Sequence, residues 1–256
     1  MRDSGLEEAI RAVGGVSELA RRIGIAQPSV SNWDRVPVER VAAVEAATGI
    51  ERAVLRPDLF GRQAAAPIDA TDNARAAEYA LLATLLAQSP DANLLRRLSG
   101  LSGDATPLGA AHAELAAAAT RTNARDVERE FFRLFIGVGR SELLPYGSYY
   151  LTGFLHERPL ARLRADLKRI GIEKTEAQSE PEDHAAILCE IMSGLAARTY
   201  GAPGTDRQVF EKHVAPWMPR FFADLERSKS ADFYARVGAL GRVFMTIETE
   251  AFALPS

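Results

Sequence analysis

Nowhere along the 256 residues do apolar and polar side chains alternate with the two-residue period of a half-buried strand. Apolar residues return instead at three- and four-residue intervals, and glycine, proline or a capping residue breaks each run. Alanine and leucine dominate the apolar content while runs of Ile, Val and Thr are rare, a balance that favours helix over strand. The spacing predicts an all-α chain.

Composition narrows what such a chain can do. A hydrophobic content of 47% with 25% charged residues is ordinary for a soluble globular protein with a sizeable core. The net charge of −3 argues against a protein whose main partner is nucleic-acid backbone. A lone Cys189 leaves no disulfide framework or cysteine-rich metal site within one chain. Met1-Arg2-Asp3 leads into a charged amphipathic segment unlike a signal peptide, and no apolar run approaches the roughly 20 residues that span a bilayer. A cytoplasmic protein is expected.

Read in order, residues 1–60 form short helical segments with abrupt stops. Leu6–Val13 ends at Gly14-Gly15, Val16–Ile23 at Gly24, and Pro37–Thr48 at Gly49, with Gln27–Trp33 between. A two-turn helix, a turn opening with glycine and a polar second helix make a helix-turn-helix, with Ala20, Ile25 and Val30 placed to pack its two helices. Residues 61–71 lack periodicity and read as a linker. Residues 72–256 form a larger helical domain.

The stretch Val16-Ser-Glu-Leu-Ala-Arg-Arg-Ile-Gly-Ile-Ala-Gln-Pro-Ser-Val-Ser-Asn-Trp33 resembles the Cro-like, YdaS-type helix-turn-helix regulators. The resemblance implies that Gln27, Ser29 and Asn32 face base edges and that Ser17, Arg21, Arg22 and Arg35 contact phosphates. Residues 1–63 hold nine arginines against nine acids, so phosphate neutralisation by one copy would be weak. DNA binding and a purely protein-binding role both stay open.

In the larger domain, Thr71 or Asp72 is expected to cap a long helix ending near Ser89-Pro90. Asp91–Leu98, Pro107–Ala119 and Val127–Ile136 follow, the last stopped by Gly137 and Gly139, with Phe131, Leu134 and Phe135 at core spacing. After Pro145 come helices over Tyr149–Leu155 and Pro159–Ile170, then a polar loop at 174–179. Ser179-Glu180-Pro181-Glu182 reads as a capping box for a helix running to Gly201. Thr205-Asp206-Arg207-Gln208 repeats that logic, and helices over Pro216–Leu225 and Ser230–Phe252 close the chain.

Little here suggests catalysis. His112, His156, His184 and His213 are scattered and form no His-x-x-x-His pair. Glu180, Asp183 and His184 could ligate a metal, but such residues in a helix's first turn usually serve as cap and dipole partners. Ser148 follows Gly147 without a Gly-x-Ser-x-Gly motif or preceding strand, and no phosphate-binding glycine loop exists. A binding protein is expected, with no enzyme activity, cofactor or metal.

The block Phe132-x-Leu134-Phe135-x-Gly137-x-Gly139-Arg140, Pro145-Tyr146-x-Ser148-x-Tyr150-Leu151 and, later, Glu180-Pro181-x-Asp183-His184 resembles the TorD/DmsD family; a Trp217/Phe221/Phe222 helix agrees. The resemblance covers about residues 72–254. It implies an all-α chaperone of molybdenum- or tungsten-containing oxidoreductases that binds the twin-arginine leader of the precursor before export. On that reading Glu180, Glu182 and Asp183 supply carboxylates for guanidinium groups, and His184 either orients one of them or tunes affinity with pH. Tyr146, Ser148, Tyr149, Tyr150 and Leu151 supply the contact surface. The fused N-terminal module departs from the family, so a transcription regulator that senses the precursor is the alternative, and a homodimer fits either role.

Overall fold

The structure is a computed structural model that describes residues 3–57, 69–137, 141–172 and 180–254, the side chain of Glu39 excepted. Among these residues there is no strand, only one isolated antiparallel bridge between Tyr146 and His184. The chain divides into two compact units, Met1–Pro67 and Ile68–Ser256. The expected linker falls largely at 61–68, outside the described residues.

The smaller unit contains α1 (Ser4–Ala12), α2 (Val16–Arg22), α3 (Gln27–Ser31), α4 (Val41–Thr48) and α5 (Arg52–Leu55). Asp3 caps α1 by accepting the Gly5 N–H at 2.9 Å. Ala20 and Val30 are buried where α2 and α3 pack, with Ile25 against them, as their spacing predicts. The helix-turn-helix is present.

The larger unit contains α6 (Ala70–Ala87), α7 (Ala92–Ser99), α8 (Pro107–Arg121), α9 (Ala124–Phe131), α10 (Gly147–Thr152), α11 (Arg158–Arg169), α12 (Ala185–Ala196), α13 (Thr205–Val209), α14 (Met218–Arg227) and α15 (Phe233–Ala253). Two π-helical turns, Phe132–Ile136 and Phe210–Val214, extend α9 and α13. α12 buries a wide face, from Ala185 through Leu188, Cys189 and Met192 to Ala196, and leaves Glu190 exposed. α6 packs along it, and α14 packs along α15. Leu134 is fully buried, with Phe131 and Phe135 packed on the same core. Gly137 ends the π turn at φ 64°, as expected of a glycine stop; Gly139 lies outside the described residues.

Three expected caps are corrected. Asp69 accepts the Asp72 N–H at 2.7 Å, so α6 starts before Thr71 and Asp72, which lie inside it. Gly204 precedes α13, and Thr205 is its first helical residue rather than its cap. The expected helix at Glu180 begins only at Ala185. Its cap is His184, whose Nδ1 accepts the Ala186 N–H at 3.1 Å. Pairing of the 183–185 backbone with residues 145–147 competes with helix there. The polar loop at 174–179 and Ser179 lie outside the described residues.

A buried ion network joins distant helices. Arg75 of α6 bonds Glu248 of α15 through Nε at 2.7 Å and Nη2 at 2.9 Å, and Tyr79 donates to the same carboxylate at 2.9 Å. Arg75 also reaches Asp206 at 3.1 Å, while Arg198 pairs with Asp72 at 2.7 Å. Glu248 is wholly buried, so these bonds offset its desolvation. Glu130 works similarly across the chain, accepting the N–H groups of Asp232, Phe233 and Tyr234 at the start of α15.

Candidate functional site

Two segments remote in sequence meet at α10. The Ala185 N–H donates to the Pro145 carbonyl at 2.8 Å, and the Gly147 N–H donates to the Asp183 carbonyl at 2.9 Å. Asp183 Oδ2 accepts the Ser148 N–H at 2.8 Å, capping the helix that carries the tyrosines. Gly147 is required by close approach, because a Cβ there would stand 3.0 Å from Trp217 Nε1. Trp217 is held in turn by donating to the His213 carbonyl at 2.7 Å.

The tyrosines occupy different surroundings. Tyr146 donates to Glu180 at 2.7 Å, and its ring meets His184 edge-on at 5.0 Å. Burial, then the Glu180 bond, pushes the Tyr146 phenol above its ordinary range. Tyr150 packs on Trp217 and Phe221 at 5.6 and 5.9 Å, with the Arg220 guanidinium 5.8 Å from its ring. Tyr149 is half-buried beside it, 6.0 Å between rings. Beyond them Leu151 on the last turn of α10, and Phe154 and Leu155 just after it, are exposed at 44%, 69% and 39%.

The acidic segment is less free than its sequence suggests. Glu182 is buried and paired with Arg164 at 2.8 Å, and Asp183 is only 3% exposed. Ser148 is buried too. Burial lowers the affinity of His184 for its proton, against the opposite pull of Glu180 and Asp183. These groups position α10 more than they present charge. Acceptors nearer the surface are Glu142 and Asp224, which share a groove of about 500 Å³ with Tyr149, Tyr150, Leu151 and Arg220. Sequence reading missed this groove, because its acids come from α14 and the 141–144 loop. Tyr149, Tyr150 and Leu151, which the sequence offered as contact residues, are the part of its lining that the sequence brought forward.

In the smaller unit, Ser17, Ser29, Asn32 and Arg35 are exposed. Arg21 and Arg22 both bind Glu18, at 2.5 and 2.9 Å, and Arg22 also donates to the Ala47 carbonyl at 3.2 Å. Gln27 donates to Ser31 at 3.0 Å. Among the described residues no group of three His, Cys, Asp or Glu side chains could hold a metal ion. No described helix is long and apolar enough to cross a membrane.

Fold and site together define an all-α domain with a bridged, aromatic-rimmed helix, carried beside a helix-turn-helix unit. Residues 102–223 match the family described as nitrate reductase delta subunit, and residues 6–64 match the family described as bacterial toxin YdaS. The chaperone protein TorD of Vibrio atlanticus is 25% identical over 146 residues, covering 52% of this chain and 68% of the relative. TorD of Aliivibrio fischeri is 29% identical over 142 residues, covering 50% and 65%. TorD of Vibrio cholerae is 28% identical over 128 residues, covering 46% and 57%, so the chain spans between half and about two thirds of these relatives. A solved structure of a proposed redox enzyme maturation protein from Archaeoglobus fulgidus aligns with TM-score 0.47 and 19% identity, over 68% of this chain and 93% of that one. The larger unit is similar to the TorD and nitrate reductase delta proteins, and the smaller one to helix-turn-helix domains of the YdaS type.

Proposed function

We propose that this protein is a cytoplasmic maturation chaperone whose larger unit binds the twin-arginine leader of a molybdenum or tungsten oxidoreductase precursor before export. The observation that carries the reading is the exposed apolar end of α10 beside a groove holding two carboxylates. A leader joins paired arginines to a moderately apolar stretch. Its guanidinium groups would meet Glu142 and Asp224, and its apolar stretch would lie on Tyr149, Leu151, Phe154 and Leu155. Buried Ser148, Glu182, Asp183 and His184, with Tyr146 and Glu180, would hold that surface in shape. The TorD chaperones among its relatives support the same reading.

Fluorescence anisotropy with a labelled leader peptide tests it. Phe154→Ser with Leu155→Ser removes exposed side chains only, so binding is expected to fall about tenfold with melting unchanged. Unchanged affinity would remove α10 from the binding surface.

A second reading rests on the exposed face of α3. A regulator would read DNA through Gln27, Ser29 and Asn32, as a homodimer on paired half-sites, while the larger unit senses precursor.

A further inference from the structure

A second, larger groove of about 610 Å³ lies between α10, α11 and the Phe210–Val214 turn, sharing Leu151 and Thr152 with the first. Its walls are apolar, from Leu151, Pro159, Leu163, Leu188 and Trp217, and its size is that of a small-molecule site. Four cations line it: Arg158, Arg162, Arg169 and Lys212. Asp166 engages Arg169 at 2.7 Å, Lys212 at 3.9 Å and His213 at 2.9 Å. Arg158 and Arg162, one turn apart and exposed, enter no ion pair among the described residues.

Asp183 also lines this groove, and it supplies the independent observation. Its Oδ2 is tied to the Ser148 N–H, but its buried Oδ1 has no hydrogen-bond partner among the described residues. A buried carboxylate oxygen left unmatched is costly, so a donor brought to it gains free energy.

We infer that this groove binds a small molecule with a phosphate at one end and an N–H donor at the other. The phosphate sits between the forks of Arg158 and Arg162, since two guanidinium groups suit a doubly charged anion better than a single carboxylate. The donor reaches Asp183 Oδ1, and the apolar walls hold the body between. This site does not depend on the peptide reading, because its cationic rim would repel a leader's arginines.

The test uses the full chain, with 2-aminoethyl phosphate and inorganic phosphate titrated against the indole N–H resonance of Trp217. Both should give saturable shifts, the aminoethyl compound binding about tenfold tighter. Arg158→Ala with Arg162→Ala should weaken both about tenfold. Asp183→Asn can keep the Ser148 bond through its carbonyl while turning an amide donor toward the groove, so it should erase the preference for the aminoethyl compound. No saturable shift below about 10 mM would overturn the proposal. So would shifts indifferent to the arginine pair, or a preference that survives Asp183→Asn. Because Arg158 and Arg162 are exposed, their variant decides the matter even if Asp183→Asn misfolds.

Discussion

The side chain of Asp183 accepts the backbone N–H of Ser148 at 2.8 Å, joining two segments that the sequence separates widely. Asp183→Ala would leave that buried N–H unpaired, at a cost of about 1–3 kcal/mol. Asp183→Asn can keep the bond and should cost less. Thermal unfolding of the three proteins checks the order.

His184 couples the same bridge to pH. Its Nδ1 must be unprotonated to cap α12, and burial holds its pKa below the ordinary value of about 6.5. For a depressed histidine the folded state binds fewer protons than the unfolded chain. Its contribution is therefore complete above the unfolded pKa and is lost as pH falls below it. The melting temperature should drop between about pH 7 and pH 5, and less so in His184→Asn, which keeps a capping oxygen but cannot titrate.

Glu248 holds Arg75 and Tyr79 in a wholly buried site. Glu248→Ala leaves Arg75 only Asp72 and Asp206, leaves the buried Tyr79 hydroxyl without its acceptor, and should destabilise the larger unit by about 1–3 kcal/mol. Tyr79→Phe removes one hydrogen bond and should cost about 1 kcal/mol. Urea denaturation measures both.

In the smaller unit, hydrogen bonds from Arg21 and then Arg22 pull the Glu18 carboxylate down to about 2. A depressed carboxylate keeps its ion pair above its unfolded pKa and loses it as pH falls through the folded one. Carboxyl NMR should show Glu18 ionised until near pH 2. Glu18→Gln frees two cations, so DNA affinity at low salt should rise and its salt dependence steepen. No change would mean that these arginines do not reach phosphate.

The helical period made the elements legible, because each amphipathic run in the larger unit has one apolar stripe and a glycine or proline break. Cap positions were less legible. Asp69 and Asp72 offer the same chemistry a few residues apart, and only the folded chain chooses. The 180–184 segment looked like a helix start because local capping cannot register the bridge to Pro145 and Gly147, a partner remote in sequence. For the same reason the carboxylate of Glu182 and the Oδ2 of Asp183 looked available. Arg164 and Ser148, which occupy them, lie on α11 and α10. The grooves flanking α10 combine side chains from several helices and were invisible to spacing.

Isothermal titration of the full chain with a synthetic twin-arginine leader peptide tests peptide recognition by the larger unit most directly. One leader per chain should bind with Kd about 1 μM, and replacing both leader arginines with alanine should weaken it at least about tenfold. Absence of heat at about 100 μM, or equal binding of the arginine-free peptide, would contradict it.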